Sequence, residues 1–287
     1  MAVYRRGYQR YRGPLTTHGA RLMVMPRYTW SRLLEQRFLV VLLAVSMFWP
    51  LLCAGFLYLA NHTELWQGFS SGFAKFLTVN GDFFAVFMRT QAVFALILAA
   101  IAGPGLIAPD LANNALPLYF SRPLTRGDYI LSRMTVLLGA LSLVTILPGL
   151  LLFSLQVGMA GGGWLAENWR LGAAMMAGFA IYIVVVSLVA MTSSAYVKWR
   201  VVAGALVMGV FFLLAGAAEI MNAVLRVEWA STFNVTYAIN TVWAGMLDLE
   251  IPDEKPGVVE CALFLCGLGL GLLGLLARKL RPVEVVK

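Results

Sequence analysis

The chain has 287 residues, 60% of them hydrophobic and 13% charged, with a formal net charge of +8 and a mean hydropathy of +0.79. A soluble domain is nearer half apolar and a quarter charged, so this composition excludes an ordinary globular enzyme, a disordered chain and a disulfide scaffold. The apolar residues fall into six nearly uncharged runs, roughly 38–60, 86–108, 134–157, 171–192, 201–218 and 258–277. Each is long enough to cross a bilayer as a helix, which takes about 20 residues. A β-barrel would show segments of about 10 alternating residues instead. The expectation is an all-α polytopic membrane protein with six transmembrane helices and no loop long enough for a soluble domain of ordinary size.

Residues 1–24 form a basic arm in which Tyr and Arg interleave from Tyr4 to Arg12. Such an arm suits anionic lipid, at about 1 kcal/mol per basic residue near the surface, better than it suits nucleic acid. Residues 27–37 predict a short amphipathic helix. Trp30, Leu33, Leu34 and Phe38 fall on one face and Arg27, Ser31, Arg32, Glu35 and Gln36 on the other. A helix of this kind lies in the interface plane. The first apolar run starts at Phe38 and is too long for a signal-peptide core, so it reads as an anchor. Pro50 should kink it.

The loop 61–85 is polar and rich in Gly and aromatics. Its Gly68-Phe69-Ser70-Ser71-Gly72 fits GxSxG, but both histidines, His18 and His62, precede that serine. A nucleophile elbow needs a strand–turn–helix and a later His, so this reads as a small-residue loop. The second run ends in Gly103, Pro104, Gly105 and Pro109, which must bend or break the helix. The third carries Pro148, and a very short turn joins the fourth and fifth. Residues 229–247 are apolar and aromatic but carry Ser, Thr and Asn throughout. Those polar groups would need partners in lipid. One or two short helices at the outer interface are therefore expected there, with Trp229, Tyr237 and Trp243 at headgroup depth. Gly267 and Gly271 in the sixth run permit close helix approach, within one bundle or across a dimer.

Placing the N-terminus in the cytoplasm puts 17 of the 22 basic residues inside, including eight Arg before the first span and Arg278, Lys279, Arg281 and Lys287 at the end. Basic segments near span ends resist translocation, so both termini are expected to be cytoplasmic. Cys53, Cys261 and Cys266 all lie in apolar runs and read as small apolar fillers. GxxxxGK[ST], HExxH and CxxC are absent, so no nucleotide or metal site of those kinds is expected. The hydrophobic centres hold no ionisable residue, with Arg89, Gln91, Gln156 and Glu219 read near span ends. An ion-coupled secondary transporter would be expected to carry an acidic residue near mid-depth, which makes that class the alternative reading. A non-transporting membrane assembly or maturation factor is the other alternative.

The connection between the second and third runs is the most informative segment: "PDLANNALPLYFSRPLTRGDY", residues 109–129. It combines a short helix bearing Leu, Tyr and Phe, a Pro-fixed bend, and a Thr125/Asp128 entry into the third span. Apolar and aromatic groups beside Arg make a docking surface. The stretch "DLANNALPLYFSRPLTRGDYILSR" resembles the cytoplasmic segment of ABC-2-type transporter permeases. The resemblance extends from about residue 25 to the C-terminus, as a single six-span domain over 25–287: an N-terminal amphipathic elbow helix, six spans, short interfacial or re-entrant helices between spans five and six, and both termini inside.

The resemblance implies the transmembrane subunit of an exporter in a bacterial cytoplasmic membrane. ATP and Mg would sit on a separate ABC ATPase chain, with no cofactor in this one, and a second permease copy or paralogue would complete a dimer. It further implies ATPase docking through Asp110, Asn113, Asn114, Leu116, Leu118, Tyr119, Phe120, Arg122 and Arg126, with Arg27, Arg32 and Glu35 from the elbow.

Overall fold

A computed structural model describes residues 17–62, 78–120, 125–252 and 255–280. Residues 1–16 of the basic arm and the GxSxG stretch lie outside them. The described residues are helical, with no strand among them. In order, the elements are α1 (His18–Leu34), α2 (Arg37–Ser46), α3 (Phe48–Asn61), α4 (Gly81–Ala102), α5 (Pro104–Ala112) and α6 (Leu116–Phe120). They continue with α7 (Arg126–Val144), α8 (Ile146–Ala160), α9 (Gly162–Tyr196), α10 (Arg200–Leu225), a 3-10 turn (Trp229–Phe233), α11 (Val235–Met246) and α12 (Val258–Lys279). Six helical stretches are long and apolar enough to cross a membrane: 37–61, 81–112, 126–160, 162–196, 200–225 and 258–279. All six expected spans are present. Each extends beyond its apolar run at one end or both, because helices continue past the uncharged centre.

Residues 229–247 form the 3-10 turn and the 12-residue α11. At about 1.5 Å per residue, α11 covers roughly 18 Å, well short of a bilayer core of about 30 Å. Asn234 caps it, its Oδ1 accepting from the Tyr237 backbone N–H at 3.1 Å. The amphipathic helix expected over 27–37 begins earlier, at His18, capped by Thr17, and ends at Leu34. Trp30 packs beside Gly139 of α7, and Leu33 is buried in the core. Leu34 and Phe38 stay exposed, and the bend at Glu35–Gln36 places Phe38 on the next helix.

The bundle is built around α9. Its middle is the most buried of the six spans and it packs against α4, α5, α7, α8, α10, α11 and α12. Small residues permit this crowding. A Cβ at Gly178 would lie 2.8 Å from both Met88 Cε and Trp243 Cδ1. The Trp243 indole N–H instead donates to the Gly178 carbonyl at 2.9 Å, which anchors α11 to α9.

Proline sets the helix breaks. Pro50 and Pro148 lack the N–H that the carbonyls four residues earlier, Ser46 and Val144, would otherwise accept. The first and third spans accordingly break at Met47 and Thr145. Both freed carbonyls point at one side chain. Gln91 Nε2 donates to Ser46 O at 3.1 Å and to Val144 O at 2.5 Å. Gln91 is fully buried and sits at the eleventh position of the 22-residue α4. Its expected place near a span end is therefore corrected: α4 starts at Gly81, five residues before the apolar run. Pro104 produces a third break, at Gly103. There the Ser194 hydroxyl enters the ladder of α5, donating to Pro104 O and accepting from the Ile107 and Ala108 N–H groups.

Each buried carbonyl left without a donor costs about 1–3 kcal/mol. Gln91→Leu should therefore lower thermal stability in detergent by roughly the cost of two such groups. In a Pro50→Ala, Pro148→Ala background the backbone N–H groups return and the same substitution should cost far less. Equal losses in the two backgrounds would show that Gln91 does not serve the proline breaks.

Candidate functional site

The segment singled out in the sequence lies where α5, α6 and α7 meet. The Asn113–Asn114 turn closes α5, with Asn114 in the left-handed region at φ 50° and the Ala115 N–H donating to Asp110 O at 2.8 Å. Asn tolerates this backbone better than most side chains do. Helix α6 follows, and α7 begins with a reciprocal capping box. Thr125 Oγ1 accepts from the Asp128 N–H at 3.2 Å, and Asp128 Oδ2 accepts from the Thr125 N–H at 2.9 Å. Two orphan donors of the helix start are satisfied in this way.

The centre of the site is a carboxylate. Asp110 Oδ2 accepts from the Tyr129 hydroxyl at 2.7 Å and pairs with Arg133 Nη2 at 2.5 Å. Arg133 Nη1 donates to Thr29 Oγ1 of α1 at 2.9 Å. The guanidinium also lies over the Tyr129 ring, 5.5 Å from its centroid, and Tyr119 of α6 stacks obliquely on Tyr129 at 5.8 Å. Tyr129 and Arg133 are four residues apart on α7, so both meet Asp110 from one helix face. The Asp110 and Arg133 side chains are 15% and 10% exposed. One polar cluster therefore ties α1, α5 and α7 together, with α6 resting on its aromatic ring.

The sequence-expected docking residues divide at this point. Asp110 faces inward, and Leu116 and Tyr119 are half-buried. Asn113, Asn114, Leu118 and Arg126 are exposed, Leu118 at 72%. Phe120 ends α6, and Arg122 lies outside the described residues. Arg27 and Arg32 of α1 and Glu35 just after it are exposed, with Arg32 over the Tyr28 ring at 4.9 Å. They do not join the buried cluster. Sequence reasoning missed Thr29, Tyr129 and Arg133. Arg133 lies two turns inside α7. The signal was the Tyr129/Arg133 spacing behind a capping box. Among the described residues no three His, Cys, Asp or Glu side chains converge as metal ligands would.

The fold is that of a polytopic α-helical membrane protein. No protein-family model and no curated protein matches the chain.

Removing one partner of a buried ion pair typically costs about 3–5 kcal/mol, because the other charge is left uncompensated. Asp110→Ala should lose stability on that scale. Asp110→Leu combined with Arg133→Met should recover most of it, read as thermal unfolding of the purified protein. A double variant as unstable as the sum of the two single ones would rule out direct pairing.

Proposed function

We propose that the chain is the permease subunit of an ATP-binding cassette exporter of the ABC-2 type, integral to a bacterial cytoplasmic membrane, with both termini cytoplasmic. ATP is hydrolysed on partner ATPase chains, and a second permease copy or paralogue completes the transmembrane unit. The chain itself makes and breaks no bonds.

The observation that carries this reading is the Asp110–Arg133–Thr29 cluster. A permease driven from outside the membrane needs an exposed contact surface joined stiffly to its spans. Here the stretch Asn113–Leu118, with Asn113, Asn114 and Leu118 exposed, continues directly from α5, the end of the second span, and leads toward α7, the start of the third. The buried cluster locks those two ends to each other and to α1. Asp110 thus acts as a positioning residue, while the exposed Asn113, Asn114, Leu118 and Arg126 form the contact surface. Helix α1, with Arg27, Arg32 and, just after it, Glu35 exposed, lies along the cytoplasmic interface as the elbow. The resemblance of residues 110–133 to the corresponding ABC-2 segment supports the same assignment. The 3-10 turn and α11 lie at the outer side, with exposed Asp248 and Glu250 beside them.

Two measurements test the reading. Leu118→Glu should leave insertion and thermal stability intact but weaken co-purification with an ATPase in mild detergent. Loss of an interface hot spot costs about 2 kcal/mol or more, roughly 30-fold in affinity. Undiminished ATPase recovery and stimulated turnover would remove this surface from the docking contact. For sidedness, Cys53, Cys261 and Cys266 are first replaced by Ala. A cysteine at Glu250 should then react with an impermeant thiol reagent in intact cells, and one at Gly127 only after the membrane is opened. The reverse pattern would overturn the orientation.

A further inference from the structure

At the end of the bundle where α10 begins, an apolar groove of about 510 Å³ runs between α4 and α10. Ile97 and Ile101 form one wall, and Val201, Ala205 and Met208 the other. Its floor is backbone. The two helices approach so closely that a Cβ at Gly204 would lie 2.5 Å from Ala100 O, the carbonyl that Pro104 deprives of its helical donor. From Arg200 to Met208 the groove follows about 12 Å of helix, close to one leaflet's share of the hydrocarbon core.

Arg200 stands at the mouth of the groove. Its Nη2 donates to Gln36 Oε1 at 3.0 Å and lies 3.5 Å from Ile101 O. Both partners are neutral, and among the described residues no carboxylate pairs with it. Gly105 lies against the guanidinium, 3.6 Å from Nη2 to the position of a Cβ. The positive charge is therefore oriented by neutral acceptors, and among the described residues no partner takes up Nε or Nη1. Around it the chain places the exposed Arg37, Lys198 and Trp199, the last 76% exposed. Tryptophan favours headgroup depth. A guanidinium N–H makes a charge-assisted hydrogen bond to a phosphate oxygen.

We propose that this groove is a binding site for an anionic phospholipid, its phosphate on Arg200 and one acyl chain between α4 and α10. The charge selects the headgroup. The apolar trough selects a lipid over a soluble phosphate, which would gain nothing from it. The proposal stands on the membrane-spanning fold alone and holds whatever the protein transports.

The test uses the full-length protein, delipidated in mild detergent and offered phosphatidylglycerol or phosphatidylcholine with identical acyl chains. Retention is read by native mass spectrometry and stabilisation by thermal shift. Wild type should retain phosphatidylglycerol preferentially. Arg200→Gln should reduce that preference about tenfold or more, the scale of a charge-assisted hydrogen bond. Ala205→Phe, which fills the groove and leaves Arg200 in place, should reduce retention of both lipids, while Arg278→Gln should change neither. Equal retention of the two lipids by wild type would overturn the proposal. So would an undiminished preference in Arg200→Gln, or stabilisation by inorganic phosphate equal to that by the lipid.

Discussion

A single amide in the second span holds the first and third spans at their breaks. Proline in a membrane helix frees a carbonyl, and in a dry interior that carbonyl has no water to turn to. This protein places one such break in its first span and another in its third. It then brings both freed carbonyls, Ser46 O and Val144 O, within hydrogen-bonding distance of Gln91 Nε2. Both acceptors are carbonyl oxygens, so the orientation of the amide is fixed by its partners. The rest of the N-terminal half is arranged about this point. Helices α2 and α7 end there, and α3 and α8 leave from there as a packed pair. Asn61 Nδ2 meets Gln156 Oε1 at 2.8 Å at the far end of that pair. Pro50, Gln91 and Pro148 thus form one unit, in which a change at any of the three alters what the other two require.

The second constraint is the Asp110–Arg133 pair, which does at the helix ends what Gln91 does in the middle. An isolated charge at this depth would be costly, and paired charges remain expensive unless further hydrogen bonds complete them. Tyr129 and Thr29 supply those bonds. The result is a preference for one geometry between α1, α5 and α7, and it is this geometry that gives the Asn113–Leu118 stretch a fixed base.

Much of this was legible in the sequence. The six spans follow from hydropathy, and Pro50, Pro104 and Pro148 announce the breaks. Thr125 and Asp128 at the spacing of a capping box mark the start of α7. The scatter of Ser, Thr and Asn over 229–247 marks a segment that does not run as one long helix. The polar partnerships were not legible, because they join residues far apart in the chain. Gln91 is one amide in an apolar helix, and only the tertiary fold shows that two distant prolines need it. Arg133 carries a charge that a topology count assigns to the nearest loop, although the helix has already begun at Arg126. Asp110 looks like a surface residue for the same reason: its partners lie 19 and 23 positions later in the chain.

The long-range polar contacts within the N-terminal half also have an order in time. Gln91 with Ser46 and Val144, Asp110 with Tyr129 and Arg133, Arg133 with Thr29, and Asn61 with Gln156 all fall within the first 160 residues. Chains are made from the N-terminus at about 5–20 residues per second, and early parts fold first. By the time α8 has been synthesised, the first three spans can satisfy one another before α9 exists. Helix α9 then adds the Tyr182 and Ser194 hydroxyls, which bond to Ala92 O and Pro104 O of the second span. In the order of synthesis, the central helix of the finished bundle follows the residues that make these contacts. It closes an assembly that the first half of the chain has begun.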